Sequence, residues 1–562
     1  FRGHSDTEII LAGIERWGIK AAVERFVGMF AFALWDRNDH ALYLVRDRLG
    51  IKPLYYGWAG SSFLCGSELK AFLAHPDFRP EINRDAVALY LRHNYVPAPI
   101  SIYQKVYKLA PGSILTVTPD RQESPAGFSP YPDDSAATWK PVRYWSAKEV
   151  VEQASVHAFQ GSEEEAIEQL DKLLREAVSL RMVADVPLGA FLSGGLDSST
   201  VVALMQAQSV RPVRTFTIGF HEDDYNEAEY ARRVAEHLGT DHTELYVTPE
   251  QARAVIPRLP TFYDEPFSDS SQIPTFLISE LARHQVKVSL SGDGGDELFG
   301  GYQRYFVGRR LWHLIGWIPR KLRTQLAGGL VTVSPARWTA ILRGLGQVGP
   351  LQQNPGDRLH KLAGLLSAQS PDALYFRLVS HWLDPASVVL GGVELRTALS
   401  DRSGWARLED FTARMMFLDA VNYLPDDILV KLDRASMAVG LEARVPLLDH
   451  RVFEFSWRLP LRFKVRGGCG KWLLRRVLSR YVQKELVDRP KMGFGVPLDS
   501  WLRGPLRDWA EDLLSESLIR KHGLLDPRPI REKWAEHLSG RRNWQYLLWD
   551  VLMFQAWKAE WS

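Results

Sequence analysis

Cysteine is nearly absent from this sequence. The 562 residues include two cysteines, Cys65 and Cys469, which lie far apart and in no spacing typical of metal ligands. This scarcity excludes a disulfide framework and a cysteine-based zinc site, and it leads us to expect a reducing, cytoplasmic location. Long apolar runs are lacking too, because no uninterrupted stretch reaches the length that spans a membrane. We therefore expect no membrane partner.

An excess of either charge is also missing. Lysine and arginine number 69 against 67 aspartates and glutamates, which gives a formal net charge of +2. This balance gives no overall attraction to nucleic acid, so we expect no nucleic-acid partner. Hydrophobic residues at 46% and charged residues at 24% are ordinary values for a globular protein. A chain of 562 residues is too long to fold around a single hydrophobic core, so we expect two or more domains.

Changes of pattern along the chain predict three parts. Residues 1–120 contain an amphipathic helical segment and several short apolar runs that are typical of antiparallel strands. Residues 121–161 are rich in proline, serine, aspartate and glycine, and we interpret them as a linker. Residues 162–562 begin with a capping box formed by Ser162 and Glu165, which marks the start of a helix and of a new domain.

Strand and helix patterns alternate through the first half of the third part. Apolar strand patterns at 187–192, 214–220, 244–247 and 286–290 are separated by helical patterns, whereas the chain from 302 onward is mostly helical. This alternation predicts an α/β fold with a doubly wound parallel sheet and a large helical C-terminal portion. The ligand of such a sheet is expected at the carboxyl ends of its strands.

A loop rich in glycine and serine follows the first of these strands. Residues 193–199 have the sequence Ser-Gly-Gly-Leu-Asp-Ser-Ser and lead into an apolar helical stretch. A strand, a glycine turn and a helix N-terminus together bind phosphate through backbone N–H groups, and the serine hydroxyls add donors. The carboxylate of Asp197 would repel phosphate unless a divalent metal lay between them. The alternative is an ordinary turn whose serines cap the next helix.

No lysine occurs in this loop, which excludes the Gly-x-x-x-x-Gly-Lys phosphate loop of ordinary kinases. A second loop, residues 291–297, has the sequence Ser-Gly-Asp-Gly-Gly-Asp-Glu and directly follows the strand at 286–290. Three carboxylates among three glycines exceed what a turn needs and predict a site for metal and ligand. Asp197 and Asp296 would then hold Mg²⁺ against nucleotide phosphates. The alternative is an acidic surface turn.

Two further motifs lie in the helical portion. Residues 431–437 and 441–449 mix charged and apolar side chains, and we interpret them as a buried ion-pair network that shapes the pocket rather than reacts. Lys471 follows a glycine, and a lysine near two phosphate loops can neutralise charge that grows on a leaving group. Most lysines are solvated surface residues, which is the alternative for this one.

These motifs resemble two related groups of enzymes. The loop at 193–199 looks like the pyrophosphate loop of the N-type ATP pyrophosphatases, and the whole set resembles glutamine-hydrolysing asparagine synthetase, with the motifs in the same order along the chain. The resemblance is carried by the segments Asp6-Thr-Glu, Arg46-Asp-Arg-Leu-Gly-Ile-Lys-Pro-Leu-Tyr-Tyr, Tyr95-Val-Pro-Ala-Pro, the loop at 193–199, Asp264-Glu-Pro-Phe, the loop at 291–297, Lys431-Leu-Asp-Arg and Leu441-Glu-Ala-Arg.

The resemblance implies a two-domain amidotransferase. Its N-terminal domain would be a class II glutaminase with the sandwich of antiparallel sheets of the N-terminal-nucleophile fold, releasing ammonia from glutamine. Its C-terminal domain would bind ATP with Mg²⁺ and aspartate and form β-aspartyl-AMP. Ammonia, carried by an internal tunnel, would attack this intermediate to give asparagine, AMP and pyrophosphate. The partners implied are thus aspartate and glutamine or ammonia, and a homodimer is the candidate assembly.

The same resemblance assigns roles to individual residues. Lys471 would stabilise the adenylation transition state, Asp197 and Asp296 would hold Mg²⁺, and Asp6 would hold the amino group of glutamine. The nucleotide-binding positions are the members of the first loop together with three contacts to the AMP moiety: Ser193, Gly194, Gly195, Asp197, Ser198 and Ser199, and then Leu192, Ile218 and Gly292.

Two departures from the family's pattern bear on activity. The family's glutaminase nucleophile is a cysteine at the mature N-terminus, whereas this sequence begins with Phe1. We interpret the chain as an N-terminally truncated form that does not hydrolyse glutamine, since Cys65 lies in a strand pattern. Second, Asp293 stands where asparagine synthetase commonly has glutamate and the related β-lactam synthetase has tyrosine. A base role there would be retuned by the shorter side chain.

Three other interpretations stay open, and Asp293 leaves room for the first of them. The first keeps the adenylation and amidation chemistry but changes the acceptor to a sugar acid, a peptide or an antibiotic precursor. The second is a tRNA-modifying pyrophosphatase, which the charge balance and the absence of paired cysteines disfavour. The third is a non-catalytic relative, which the presence of Asp197, Asp296 and Lys471 disfavours.

Overall fold

The computed structural model of the protein describes residues 3, 5–119, 127–220, 227–344, 355–487 and 495–561. Two antiparallel sheets form the N-terminal part and one parallel sheet forms the centre of the rest. In these residues the strands are β1 (Ala31–Asp36), β2 (Ala41–Arg46), β3 (Tyr55–Ala59), β4 (Ser62–Gly66), β5 (Val106–Lys108), β6 (Ser113–Val117), β7 (Val142–Arg143), β8 (Leu188–Phe191), β9 (Arg214–Phe220), β10 (Asp241–Val247), β11 (Val288–Leu290) and β12 (Glu442–Arg444).

Helices surround these sheets and form nearly all of the regular structure after β11. The helices up to that strand are α1 (Asp6–Trp17), α2 (Ile19–Val23), α3 (Lys70–Leu73), α4 (Arg84–His93), α5 (Ala147–Val156), α6 (Glu163–Met182), α7 (Leu196–Gln206), α8 (Ala228–Leu238), α9 (Pro249–Val255), α10 (Leu259–Phe262) and α11 (Gln272–Arg283). The later ones are α12 (Gly295–Phe299), α13 (Gln303–Ile315), α14 (Arg320–Thr332), α15 (Pro335–Gly344), α16 (Pro355–Leu366), α17 (Pro371–Leu378), α18 (Phe411–Leu418), α19 (Leu429–Met437), α20 (His450–Arg458), α21 (Trp472–Leu478), α22 (Lys484–Val487), α23 (Leu498–Arg503), α24 (Arg507–Leu513), α25 (Glu516–His522), α26 (Pro527–Leu538) and α27 (Gln545–Glu560).

The N-terminal part is a sandwich of two antiparallel sheets, as the resemblance implies. One sheet has the strand order β1-β2-β6-β7 and the other the order β4-β3-β5. Leu44 and Leu115 of the first sheet share one buried cluster with Tyr56 and Trp58 of the second. Alternating apolar side chains of the two sheets thus meet in a common core, which is how antiparallel sheets bury one face each. The interval predicted as a linker includes strand β7 and helix α5.

The central sheet is parallel, with the strand order β10-β9-β8-β11-β12. Its first four strands in the chain correspond to the four apolar patterns in the sequence, and the predicted α/β class is confirmed. The fifth strand, β12, pairs with β11 and lies in the motif at 441–449. This strand has one apolar residue, Ala443, between two charged ones, so it shows no apolar strand pattern and was not expected from the sequence.

The start of the helix before β8 follows the predicted capping box. The Ser162 hydroxyl accepts a hydrogen bond from the backbone N–H of Glu165, and the Glu165 carboxylate accepts one from the N–H of Ser162. Helix α6 then packs against α7, which carries Asp197, Ser198 and Ser199, and against α21, which Lys471 directly precedes. No helix within the described ranges is long and apolar enough to cross a membrane.

Candidate functional site

The loop at 193–199 connects β8 to α7 at the carboxyl end of the parallel sheet. Gly195 is the residue before the first turn of α7 and no side chain caps that helix. The first N–H groups of a helix have no partner within it and point outward from its N-terminus. The hydroxyls of Ser193 and Ser198 lie 3.0 Å apart, and the N–H of Gly195 donates to the Ser193 hydroxyl. The loop therefore presents N–H and O–H donors around one helix N-terminus, which suits an anion.

Gly194 is required in this loop for two independent reasons. Its φ of +70° lies in the left-handed region that favours glycine. A Cβ atom at Gly194 would lie 2.7 Å from the backbone carbonyl carbon of Tyr230 and the nitrogen of Ala231. The glycine thus lets the loop pack directly on the start of α8.

Replacing Gly194 with alanine is expected to lower the free energy of unfolding by ~1–3 kcal/mol, because both the φ angle and the backbone contact oppose a side chain. Gly328→Ala is a matched control: Gly328 lies in α14 with no heavy atom within 4 Å of an added Cβ. This control is expected to stabilise the protein by ~0.5–1 kcal/mol. Urea denaturation of both variants measures the difference, and equal midpoints would contradict the packing argument.

The second loop, residues 291–297, meets the first at the same edge of the sheet. It follows β11, which pairs directly with β8, so that the two loops leave neighbouring strands. A Cβ at Gly292 would lie 2.6 Å from the backbone nitrogen of Ser198. The glycine predicted to contact the nucleotide therefore also allows the two loops to touch. Gly294 has a φ of +97°, which turns the chain into the short helix α12.

The side chain of Lys471 lies between the two predicted metal ligands. Its Nζ atom is 2.8 Å from Asp296 Oδ1 and also forms an ion pair with Asp197. Lys471 has a left-handed backbone with a φ of +57°, and its N–H donates to the carbonyl of Phe299 at 2.8 Å. Burial by itself lowers the pKa of Lys471, but the two carboxylates outweigh this effect and hold the pKa above its usual value. The lysine is therefore charged.

The residues present fit a magnesium ion. The carboxylates of Asp197 and Asp296 converge on the buried ammonium group of Lys471. Carboxylate oxygens are also the ligands that Mg²⁺ prefers. No group of three or more histidine, cysteine, aspartate or glutamate side chains with metal-binding geometry occurs among the described residues. A pair of carboxylates without a full protein cage is typical of Mg²⁺ that is completed by nucleotide phosphates and water. Asp197 and Asp296 are the residues that would hold it.

Asp293 lies in the same loop and faces the cleft. The Ser291 hydroxyl donates to Asp293 Oδ2 at 2.5 Å. Burial raises the pKa of Asp293, while the Ser291 hydrogen bond and the positive charge of Lys431 act in the opposite direction. A raised pKa brings a carboxylate closer to the range in which it accepts a proton at neutral pH. Its predicted role as a base or orienting group is consistent with this environment.

A cleft of about 610 Å³ joins these side chains. Its lining includes most of the predicted site residues: Leu192, Ser193, Gly195, Asp197, Ser198, Gly292, Asp293, Asp296 and Lys471. Ligand sites of this size are common in enzymes. The structure thus brings together residues that are up to 279 positions apart in the chain.

Four predicted residues do not line the cleft. Gly194 packs against the start of α8, and Ser199 is completely buried within α7. The side chain of Ile218 is buried in β9, whereas its neighbour Thr217 does line the cleft. Asp6 lies in the first turn of α1 in the N-terminal sandwich. Their predicted ligand contacts stay predictions.

Other residues of the cleft were not singled out from the sequence. Lys431 was assigned with its motif to pocket shape, yet its Nζ atom lies in the cleft, 2.8 Å from Asp269 Oδ2 and 2.8 Å from the Ser271 hydroxyl. The neighbouring Asp433 and Arg434 form an ion pair, and Arg434 also pairs with Asp264 at 2.9 Å. This motif therefore contains both a buried ion-pair network and one cation that faces the site. Asp269 lies 162 positions before Lys431, so the local sequence does not indicate this ion pair.

Cys65 lies in β4 of the N-terminal sandwich. Burial raises the pKa of its thiol, which disfavours the nucleophilic thiolate. This environment agrees with the sequence-based expectation that Cys65 does not replace an N-terminal nucleophile.

The comparisons with known proteins cover the whole chain. Residues 169–559 match the family described as Asparagine synthase, and residues 1–129 match a Glutamine amidotransferase domain. Asparagine synthetase (glutamine-hydrolyzing) 1 of Bacillus subtilis is 30% identical over 100% of this chain and 81% of its own length. Asparagine synthetase (glutamine-hydrolyzing) 3 of the same organism is 25% identical over 94% of this chain and 78% of its own length. The protein named Amidase chry2 of Gibberella zeae is 26% identical over the same shares, 94% and 78%.

Proposed function

Because the chain belongs to the asparagine synthase family, we propose that it converts aspartate to asparagine through β-aspartyl-AMP, consuming ATP and releasing AMP and pyrophosphate. Enzymes of this family are carbon–nitrogen ligases that use ATP. The match of residues 1–129 to a glutamine amidotransferase domain supports glutamine as the source of ammonia in the full reaction. The observation that carries the proposal is the convergence of Asp197, Asp296 and Lys471 at the ends of two neighbouring parallel strands.

The first step is adenylation of the acceptor. A β-carboxylate oxygen of aspartate attacks the α-phosphorus of ATP, the bond to the bridging oxygen breaks, and pyrophosphate leaves with the electron pair. The N-terminus of α7 and the hydroxyls of Ser193 and Ser198 supply donors to the pyrophosphate group. Lys471 supplies a positive charge that stabilises the negative charge of the leaving group. Mg²⁺ held by Asp197 and Asp296 would add further positive charge at the phosphate oxygens.

The second step is transfer of the acyl group to ammonia. The nitrogen lone pair forms a bond to the acyl carbon, the bond from that carbon to the AMP oxygen breaks, and one proton leaves the nitrogen. Activation is necessary because an ionised carboxylate has no good leaving group, whereas AMP is one. Asp293 lies in the cleft and its raised pKa suits it to accept this proton.

The test uses ammonium as the nitrogen source, so that its result does not depend on glutamine hydrolysis. The protein is incubated with ATP, MgCl₂, aspartate and ammonium chloride, and the products are identified by mass spectrometry. The proposal predicts asparagine, AMP and pyrophosphate in equal amounts. Formation of ADP and phosphate, or of AMP without any new amide, would contradict it.

A second candidate function keeps this chemistry and changes the acceptor. A second, polar chamber of about 210 Å³ shares Asp269, Ser270, Tyr423 and Tyr546 with the main cleft, which gives room beyond the reacting carboxylate. A relative named an amidase also matches most of this chain. The same incubation with other carboxylic acids in place of aspartate distinguishes the two candidates through the mass of the amide product.

A further inference from the structure

Helices α13, α14 and α15 form a side of the molecule that lies outside the site described above. They pack on α16 and α17, and with α16 they form a small separate core of four buried side chains: Ile315, Ala327, Ala363 and Leu366. Arg304, at the start of α13, reaches the polar chamber and pairs with Asp419 at 2.8 Å. No other residue of these three helices lines the chamber or the main cleft. Their outer surface is therefore separate from the proposed chemistry.

This side of the molecule carries positive charge alone. Residues 298–356 contain eight lysines and arginines but no aspartate or glutamate, although the whole chain has 67 acidic residues. Arg304 and Arg323 of this interval point into the protein, whereas the other six are exposed: Arg309, Arg310, Arg320, Lys321, Arg337 and Arg343. None of these six forms an ion pair with a described residue. Since the net charge of the whole chain is only +2, the positive charge is concentrated here.

Large apolar side chains are exposed on the same helices. Trp317, in the turn between α13 and α14, is 78% exposed, and Leu314, in the last turn of α13, is 68% exposed. Leu322 and Leu326 of α14 are 51% and 55% exposed and lie one helical turn apart, on one face. Exposed apolar side chains that are concentrated in this way mark a contact surface. We call residues 307–326 the α13–α14 corner.

Cations and apolar side chains are interleaved around this corner. Arg310 comes one helical turn before Leu314, and Arg320 and Lys321 directly precede Leu322. A surface of tryptophan and leucine next to lysine and arginine is typical of helices that lie in the boundary of a lipid bilayer. The apolar side chains enter the acyl boundary there, while the cations meet the phosphates of anionic lipids. The indole ring of tryptophan suits that boundary because it is apolar with one N–H donor.

Other occupants match only part of this surface. A nucleic acid would neutralise the cations but would leave Leu314 and Leu322 without an apolar partner. A second copy of the chain, docked through the same corner, would bring two positive surfaces together, and like charges oppose such a contact. An anionic lipid surface satisfies both the charge and the apolar side chains.

We propose that the α13–α14 corner docks on the surface of a membrane that contains anionic lipids. Such a contact needs no membrane-spanning helix, whereas the expectation of no membrane partner rests on the absence of a spanning stretch. The contact places apolar side chains of the corner in the bilayer boundary and leaves the cleft outside it. This inference does not depend on the proposed function, because no residue of the corner lines the cleft.

Sedimentation of the protein with lipid vesicles tests the proposal. One set of vesicles is phosphatidylcholine alone, and in the other about a third of the lipid is phosphatidylglycerol. The partition coefficient is expected to be at least ~10-fold higher for the anionic vesicles and to fall as NaCl is added, because salt screens the cations. No binding to the anionic vesicles, or equal binding to both kinds, would overturn the proposal.

Two double variants separate the apolar and the ionic contributions. Leu314→Ser with Trp317→Ser is expected to lower the partition coefficient for anionic vesicles at least ~10-fold, because the side chains that enter the boundary are lost. Arg320→Gln with Lys321→Gln is expected to lower it by ~10-fold and to weaken its dependence on salt. All four positions are exposed, so both proteins are expected to melt at the temperature of the unmodified protein.

Each double variant has a control elsewhere on the surface. Arg520→Gln with Lys521→Gln removes an exposed arginine–lysine pair of the same sequence from α25, and Val210→Ser removes an exposed apolar side chain after α7. Both controls are expected to bind anionic vesicles as the unmodified protein does. If a control lowers binding as much as the corner variants do, the contact is not confined to the corner and the proposal is wrong.

Two further results would assign the corner to another partner. The first is binding to RNA, without binding to vesicles, that Arg320→Gln with Lys321→Gln abolishes and Leu314→Ser with Trp317→Ser leaves intact. The second is self-association, measured by analytical ultracentrifugation, that the apolar variant abolishes while no vesicle is bound. Either result would overturn membrane docking.

Discussion

A variant with alanine in place of Lys471 is expected to form AMP at least ~1000-fold more slowly than the unmodified enzyme. The Nζ atom of Lys471 lies against the carboxylates of Asp197 and Asp296, and in our account its charge stabilises the leaving pyrophosphate. Removing one preorganised charge or donor from a water-excluded site commonly costs 10²–10³-fold in rate, and here two carboxylates would also lose their partner. Initial rates of AMP formation at saturating ATP and aspartate measure the effect.

The control for this variant is Lys521→Ala, which removes the same side chain from an exposed position of α25. Its rate is expected to equal that of the unmodified enzyme. Thermal melting of both variants shows whether the proteins are folded. If the Lys471→Ala protein is folded and its rate lies within tenfold of that of the unmodified enzyme, the proposed role of Lys471 in stabilising the leaving group is contradicted.

Asp197→Asn is expected to lower AMP formation by ~100- to 1000-fold at 1 mM Mg²⁺ and to raise the concentration of Mg²⁺ needed for half-maximal rate. Asparagine keeps the size of the side chain but removes the charge that would hold the metal. The same change also weakens the ion pair to Lys471, so a Mg²⁺ titration is needed to separate the two effects. A loss of metal affinity is partly overcome by excess Mg²⁺, whereas misplacement of Lys471 is not.

Asp296→Asn provides the comparison, because Asp296 contacts the same lysine and is predicted to share the metal. Both variants are expected to shift the Mg²⁺ requirement in the same direction. If the Mg²⁺ concentration needed for half-maximal rate were unchanged in both variants, the proposed metal-binding role of these aspartates would be contradicted, even if the rates fell.

Local sequence was sufficient to predict the loops and the strands that carry them. The strand at 187–192 and the strand at 286–290 are each followed by a glycine-rich polar loop, and parallel strands place such loops at one edge. That the two loops touch follows from the pairing of β8 with β11, which periodicity does not specify. The contact between Gly292 and Ser198 is therefore a finding of the structure.

Long-range side-chain pairs could not be predicted from pattern alone. Lys471 reaches Asp197 across 274 positions of sequence, and its left-handed φ at the start of α21 has no local signature such as glycine or asparagine. The π-helix at 419–428 contains Pro425 and differs from an α-helix by a small change of pitch that a sequence period does not reveal. Asp427 Oδ2 accepts a hydrogen bond from Asn94 at the end of α4, more than 300 positions earlier.

The central claim is that the acceptor carboxylate attacks the α-phosphorus of ATP, and an oxygen-transfer experiment tests it most directly. Aspartate with both β-carboxylate oxygens replaced by ¹⁸O is incubated with ATP, Mg²⁺ and ammonium. The ¹⁸O content of the AMP, pyrophosphate and asparagine is then measured by mass spectrometry. The account predicts one ¹⁸O in each AMP, one retained in each asparagine and none in pyrophosphate. Unlabelled AMP, or label in pyrophosphate or phosphate, would contradict it.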